Sequence, residues 1–380
     1  MRILQVITRA DSGGAQSIVL SLSESLCEAG HRVAIVSGPG GQGEAWRGID
    51  SRVTCLEVKH LVRPVSPIND FLAVRELSKI YRDWKPDVVH LHTSKAGAIG
   101  RLASGVESRR IVYTMHGYDQ LRVANRKLLF IDKALKKHCG TVVAVSKADL
   151  DAMIRDGYEA ELVRNGTKDA RGLSLENEEA LVQITRLRGK YPSLAVLVAR
   201  DAPPKRIDLA REAAARLKGS AGIVWFGGSP RADDPPDFHA LGSVRNAGAY
   251  IGLCDIFLLL SNHEGLSVSM LEAFSSGLPT IASAIPGCLE ALELDTEGIG
   301  KRGIAVSNNA EMIAAAIAKL TVDKELRLSM GREARKAWEE LYSNGKMTEG
   351  YVRIYNRLMI DSRTMPVEYC RPWHEEGEDS

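Results

Sequence analysis

Short apolar runs alternate with amphipathic stretches twice along this chain of 380 residues, and that order restricts the fold more than any single motif. In the first set the runs are Ile3–Ile7, Val33–Val36, Val88–His92, Ile111–Met115 and Thr141–Val145. Helical periodicity falls between them over Ala15–Ala29, Ile68–Tyr81, Ala96–Ala103, Lys127–Lys137 and Lys147–Arg155. The pattern resumes with Leu194–Val198, Ile223–Phe226, Ile256–Leu260 and Pro279–Ala282, separated by stretches such as Asp208–Leu217 and Ala310–Leu320. Alternation of this kind predicts a parallel sheet with helices on both faces. A turn signal, Arg164-Asn165-Gly166-Thr167, and a polar stretch to about Glu179 part the two sets. The expected architecture is therefore α/β, with two doubly wound domains, 1–165 and 166–340, facing each other across a cleft. Helical patterns at Lys324–Glu340 and Met347–Met359 follow, and a helix within 341–362 is expected to pack back on the first domain. Residues 363–380, with clustered acids and little periodicity, read as an unstructured tail.

The chain is longer than most single cores, which agrees with two domains. Its hydrophobic content of 44% and charged content of 26% are ordinary for a globular protein. Residues 1–165 carry 24 Lys+Arg against 18 Asp+Glu, a net of +6, which leaves −4 for the rest. That asymmetry suits an anionic substrate or a lipid surface and falls far short of a nucleic-acid reader. Six scattered cysteines without a Cys-x-x-Cys pair read as reduced, cytosolic thiols. No apolar run approaches the length of a membrane span. Met1–Ile7 turns polar too quickly for a signal peptide and reads as a first strand.

The segment Asn262–Phe274 holds two carboxylates, Glu264 and Glu272, eight residues apart. Its position after Ile256–Leu260 places Glu264 in the loop at a strand's carboxyl end and Glu272 in the second turn of the next helix. Ligands of open α/β sheets bind at that end. A helix start there offers free N–H groups to an anion, and carboxylates accept hydrogen bonds from vicinal hydroxyls. Together these features suit a sugar joined to a diphosphate. Arg200 and Lys205 bracket a proline-stiffened loop after Leu194–Val198 and could clamp that diphosphate; a solvated basic loop is the alternative. Gly13-Gly14 joins the first strand to the first helix, either for close ligand approach or for a tight turn. His116 ends another strand beside Gly117, as a structural histidine or as a contact to the reacting group.

Other patterns are weaker. Gly38-Pro39-Gly40-Gly41-Gln42-Gly43 matches a dinucleotide fingerprint but follows the second strand and carries Pro where a helix should start, so NAD and FAD are disfavoured. Asp149 and Asp151 read as a solvated helical face. His90 and His92 share one strand face without further metal-spaced ligands and read as core or cleft lining. Arg122, Arg126, Lys127, Lys133, Lys136 and Lys137 interleave with Leu128–Ile131 and Leu135, which makes a basic amphipathic stretch that reads as a plain solvated helix or as one that could rest on anionic lipid.

Taken together, these segments resemble the retaining glycosyltransferases of family 4, the group 1 set with the GT-B fold of two Rossmann-like domains. Glu264 and Glu272 match the family's Glu-x7-Glu motif, and Ser275–Thr280 its Ala-Cys-Gly-x-Pro-Val signature. Pro286–Glu290 matches the Gly-Gly-x-x-Glu segment, Arg200 and Lys205 the Gly-Arg-x-x-x-x-Lys-Gly loop, and Gly13-Gly14 the amino-terminal glycine pair. Arg164-Asn165-Gly166 corresponds to the family's linker. The resemblance implies that Glu272 binds ribose hydroxyls and Glu264 those of the donor sugar. It further implies that N–H groups of Gly265, Leu266 and Ser267 meet the diphosphate, whose charge Arg200 and Lys205 neutralise. Gly13 and Gly14 would approach donor and acceptor, and His116 would touch the transferred sugar. No metal and no cofactor are implied, since the nucleotide sugar is itself a substrate. Two positions depart from the pattern: Ala199 and Arg206 replace the glycines that flank the Arg–Lys loop, and Arg206 could add a contact to an unusual donor.

The implied activity moves a hexosyl unit with retention from a nucleotide sugar, UDP-linked before GDP-linked, to a glycan or lipid-linked acceptor. Bacterial surface-polysaccharide synthesis at the cytoplasmic face of the membrane is the setting it implies. A UDP-sugar 2-epimerase of the same fold is the enzymatic rival, and a dead nucleotide-sugar-binding protein the non-enzymatic one. The latter would be expected to lose one of Arg200, Lys205, Glu264 and Glu272, and all four are present.

Overall fold

The structure is a computed structural model that describes residues 1–11, 13–39, 45–118 and 126–360, of which 126–128 contribute backbone only. Gly40–Gly43, Arg122 and the tail 363–380 lie outside the described residues, as do the side chains of Arg126 and Lys127.

Seven strands form the first sheet: β1 (Arg2–Arg9), β2 (Arg32–Gly38), β3 (Thr54–Glu57), β4 (Val88–His92), β5 (Ile111–Met115), β6 (Thr141–Ala144) and β7 (Ala160–Leu162). Their order is β3-β2-β1-β4-β5-β6-β7, and every pairing is parallel. Helices α1 (Gly14–Glu28), α2 (Pro67–Trp84), α3 (Ser94–Leu102), α4 (Arg126–Ala134) and α5 (Lys147–Arg155) join them. Because helices cover both faces, the inner strands read as unbroken apolar runs; every residue of β4 and β5 is buried.

The second sheet repeats the design with β8 (Leu194–Val198), β9 (Gly222–Phe226), β10 (Phe238–Ala240), β11 (Ile256–Leu259), β12 (Thr280–Ser283), β13 (Gly298–Ile299) and β14 (Gly303–Val306). The order is β10-β9-β8-β11-β12-β14-β13, parallel except for β13 at the edge. Its helices are α6 (Glu178–Lys190), α7 (Ile207–Leu217), α8 (Val268–Ser275), α9 (Pro286–Leu292), α10 (Ala310–Val322) and α11 (Lys324–Ala337). Each sheet thus reverses its winding once, between β1 and β4 and between β8 and β11, and such switch points are where open α/β sheets bind ligands.

The helical pattern that ran to Glu340 ends differently. After α11 the backbone widens into a π turn, Trp338–Tyr342, and Ser343 then opens α12 (Asn344–Met359). This return segment lies beside the outgoing linker: Thr167 N–H donates to the Tyr342 carbonyl at 2.9 Å, and Asn344 N–H to the Thr167 carbonyl at 2.8 Å. Asn344 Nδ2 bonds Ser25 Oγ on α1 at 2.6 Å, and Met347, Tyr351, Ile354 and Tyr355 of α12 join the core under the first sheet.

Candidate active site

At the switch point of the second sheet, two loops zip together. Asn262 N–H donates to the Pro204 carbonyl, and Arg206 N–H to the Leu260 carbonyl, each at 3.0 Å. This pairing sets Lys205 against Ser261, so that the Lys205 ammonium forms an ion pair with the Glu264 carboxylate. Arg200, at the end of β8, is exposed and has no side-chain partner among the described residues, so the structure joins Lys205 to Glu264 but leaves Arg200 outside the pair. Arg206 is committed elsewhere: its guanidinium grips Asp208 in the first turn of α7, with Nη2 to Oδ2 at 2.6 Å.

From Glu264 the chain runs through Gly265, Leu266 and Ser267 into α8. Leu266 is buried, and its carbonyl accepts a hydrogen bond from Asn165 Nδ2 at 3.1 Å. Ser267 sits at the helix cap with no side-chain capping bond, which leaves the first N–H groups of α8 without one. Glu272, one and a half turns on, faces the short helical turn Gly248–Ile251; a Cβ added at Gly248 would stand 2.8 Å from the Glu272 carboxyl carbon. Desolvation pushes the Glu272 carboxyl up to about 7. The two carboxylates of the motif therefore differ, one neutralised by an ammonium and one held without a counter-charge.

The first sheet brings its own groups to its switch point. Gly13 and Gly14 open α1 after β1, and His116 follows β5. His116 Nε2 lies 2.9 Å from His92 Nδ1, and His92 Nε2 lies 2.7 Å from Gln5 Oε1. His116 Nδ1 is buried without a partner among the described residues. Burial lowers the His116 imidazole to about 4. His90 and His92 are fully buried with ring centroids 3.9 Å apart, and no metal-sized group of His, Cys, Asp or Glu occurs among the described residues.

The two switch points meet. A Cβ added at Gly265 would lie 2.8 Å from Asp149 Oδ2 and 3.6 Å from Gly117 Cα, so the loop after Glu264 rests directly on the turn that carries His116. A Cβ at Gly14 would likewise touch Val268 of α8 at 3.4 Å. Asp149 corrects the sequence reading: it is not a solvated face but 3% exposed, at the third position of α5, where its N–H donates to Ser146 Oγ at 3.0 Å. The readable signal was Ser146-Lys147-Ala148-Asp149, an S-x-x-D helix start, which puts the acid on the capped end. Glu290 was quoted only as part of a motif and given no role. Its carboxylate crosses from α9 and accepts the Lys147 and Ala148 N–H groups, both at 2.9 Å, at the start of α5. An anion belongs there, because a helix start presents unpaired donors and positive potential.

Two linked parallel sheets of one winding, with switch points opposed, define a GT-B architecture. Residues 12–171 match the family described as Glycosyltransferase Family 4, and residues 235–337 match Glycosyl transferases group 1. The O-antigen biosynthesis glycosyltransferase WbnH of Escherichia coli is 25% identical over 334 residues, 84% of this chain and 90% of that protein. The UDP-Gal:alpha-D-GlcNAc-diphosphoundecaprenol alpha-1,3-galactosyltransferase of Escherichia coli is 25% identical over 343 residues, covering 82% and 86%. Anabaena Alr3699/HepE, solved in complex with UDP-glucose, superposes with a TM-score of 0.77 at 16% identity, over 94% of this chain and 100% of that one. The chain belongs to the group 1 glycosyltransferases of family 4, and it is a glycosyltransferase.

Proposed function

We propose that this glycosyltransferase moves a hexosyl unit, with retention, from a UDP-sugar to a lipid-linked or glycan acceptor in the assembly of a surface polysaccharide. The observation that carries the reading is the meeting of the two switch points, which sets the Lys205–Glu264 pair and the His116 turn on opposite walls of one cleft. The relatives that act in O-antigen synthesis and on a diphosphoundecaprenol acceptor support the pathway and the acceptor class, and the UDP-glucose complex of a structural neighbour supports the donor class.

In this reading the residues 1–165 and 166–340 are acceptor-side and donor-side domains, with α12 as a strut between them. Glu272 accepts the ribose hydroxyls as a carboxylate, and Glu264 accepts hydroxyls of the sugar. The N–H groups of Gly265–Ser267, at the start of α8, receive the diphosphate, while Lys205 and the exposed Arg200 offset the charge that grows on the leaving group. That electrostatic task needs no metal. Gly13 and Gly14 let α1 close over the donor, and the His116 Nδ1 lone pair accepts a sugar hydroxyl. The leaving phosphate helps deprotonate the acceptor hydroxyl on the same face, so neither carboxylate serves as a double-displacement nucleophile, unlike the paired acids of retaining glycosidases. No helix among the described residues is long and apolar enough to cross a membrane. A peripheral contact is supported by α4 and the turn after it, where Phe130 is 76% exposed beside exposed Lys136 and Lys137, while Asp132 turns inward to Arg101.

Thermal unfolding in the presence of UDP-, GDP- and ADP-sugars tests the donor assignment, since a ligand bound only by the native state raises its melting temperature. UDP-sugars are expected to protect; protection by GDP-sugars alone would replace the donor, and protection by none would remove the reading.

A further inference from the structure

Behind His116 lies a longer run of buried hydrogen bonds than a single sugar contact requires. We propose that His92 and Gln5 are positioning residues that hold His116 in its Nε2–H tautomer, so that the site shows the transferred sugar a hydrogen-bond acceptor and no donor at this point. The proposal rests on the donor-side reading above for its consequence, though not for its geometry. A neutral imidazole has one donating and one accepting nitrogen. With the Gln5 carbonyl oxygen turned to His92 Nε2 at 2.7 Å, that nitrogen must carry the proton, and His92 Nδ1 must accept. His116 Nε2, 2.9 Å away, then has to donate, and Nδ1 keeps a lone pair. That Nδ1 is a buried atom with no partner among the described residues.

The surroundings keep the run neutral. His90 lies tilted beside His92 and bonds the Tyr355 hydroxyl through Nδ1 at 2.6 Å and the Thr114 hydroxyl through Nε2 at 2.7 Å. Thr114 in turn meets the Tyr351 hydroxyl at 3.0 Å, and the Gln5 side chain also faces Tyr355. These groups are buried, which depresses His90 and His92 well below an ordinary histidine and raises both tyrosines. A run without net charge brings no counter-ion to the leaving group; what it supplies is direction. Turning the Gln5 amide over would reverse each donor up to His116 and present an N–H instead. The consequence is selectivity. The sugar must bring a hydroxyl to this position, a deoxy sugar loses the bond, and a sugar carboxylate would set acceptor against acceptor.

The test is the side-chain nitrogen spectrum of the full chain labelled with 15N-histidine at about neutral pH. His116 Nδ1 is expected to resonate as a bare, pyridine-type nitrogen and Nε2 as protonated. Gln5→Leu should collapse this into a mixture of tautomers, and Gln5→Glu, which keeps an oxygen acceptor toward His92, should restore it. In transfer assays with the UDP-sugar chosen by thermal protection, one monodeoxy analogue should be used about tenfold less well by the wild type, for the loss of one hydrogen bond. Gln5→Leu should shrink that ratio to about twofold with acceptor KM unchanged. A protonated Nδ1 in the wild-type spectrum overturns the proposal even where a variant fails to fold. That spectrum does not depend on the donor, so its failure is separate from a failure of the nucleotide-sugar reading.

Discussion

Acidification should weaken donor binding through Glu272, by an amount set by the carboxyl's burial. Desolvation lifts it from an ordinary 4.5 to about 7, so near neutrality half of the molecules hold a protonated acid where a hydroxyl acceptor is wanted. If only the carboxylate grips the ribose, the apparent Kd scales inversely with the fraction ionised. That makes donor binding about tenfold weaker at about pH 6 than at about pH 8. An intact nucleotide sugar has no phosphate that titrates in this window, and His116, at about 4, lies below it. Isothermal titration with the protective UDP-sugar reads the slope directly. In Glu272→Gln the slope should vanish, with binding at about pH 8 weaker by roughly tenfold, the loss of one charged hydrogen bond. Stability moves the other way. Because the folded pKa lies above the unfolded one, the ionised carboxylate opposes folding, and this penalty grows from about pH 4.5 through about pH 7 and is complete above. Glu272→Gln should therefore stabilise the free protein at about pH 8 by roughly 2–3 kcal/mol while ligand protection falls. An equal Kd at both pH values, or a slope that survives in the variant, refutes the reasoning.

Glu264→Ala should cut turnover by about a hundredfold or more while nucleotide Kd stays within about twofold, because the lost contact is to the reacting sugar. Glu290→Ala removes both carboxylate bonds to the start of α5, each worth about 1.5–3 kcal/mol in a closed state, so small-angle scattering should show a larger radius of gyration. Gly265→Ala places a methyl against Asp149 Oδ2 and should block closure, lowering kcat/KM with little change in melting temperature; normal turnover would mean the observed contact is not the working one. Phe130→Asp with Ile131→Asp should abolish co-sedimentation with anionic vesicles and leave transfer to a short soluble acceptor unchanged.

The sequence made the inner strands plain because a strand buried on both faces must be apolar throughout; β4, β5 and β8 run over the residues expected. Edge strands carried no such mark. β3 is mostly exposed, β7 and β10 have three residues each and β13 has two, so none forms a run that stands out from its neighbours. In the site, Lys205 and Glu264 were legible as charges at strand ends, yet nothing local says that Lys205 would be spent on Glu264 while Arg200 stays free. That division comes from the backbone zipper of Pro204–Arg206 on Leu260–Asn262, a tertiary event. Asp149 and Glu290 were hidden for the same reason: each acts across the gap between sheets, and periodicity describes only one element at a time.

What the closed arrangement adds is a division of labour between walls of opposite character. The second sheet brings the charges, with an ion pair at Glu264, a free guanidinium at Arg200 and a carboxyl at Glu272 poised near neutrality. The first brings a neutral, largely buried run of imidazoles that ends in a single lone pair. Among the contacts between the walls, those nearest the site are made by glycine and by backbone N–H groups, at Gly14, Gly265 and the start of α5, while ion pairs such as Lys168–Glu24 lie further out. Contacts of the first kind use little side-chain surface and separate without unpacking either core. A charged wall alone would bind the diphosphate of any nucleotide sugar. In the proposed reading Glu264 and His116 meet the sugar from the two walls together, which ties selectivity to the closing step and makes Glu290 and Gly265 as consequential for turnover as the carboxylates of the motif.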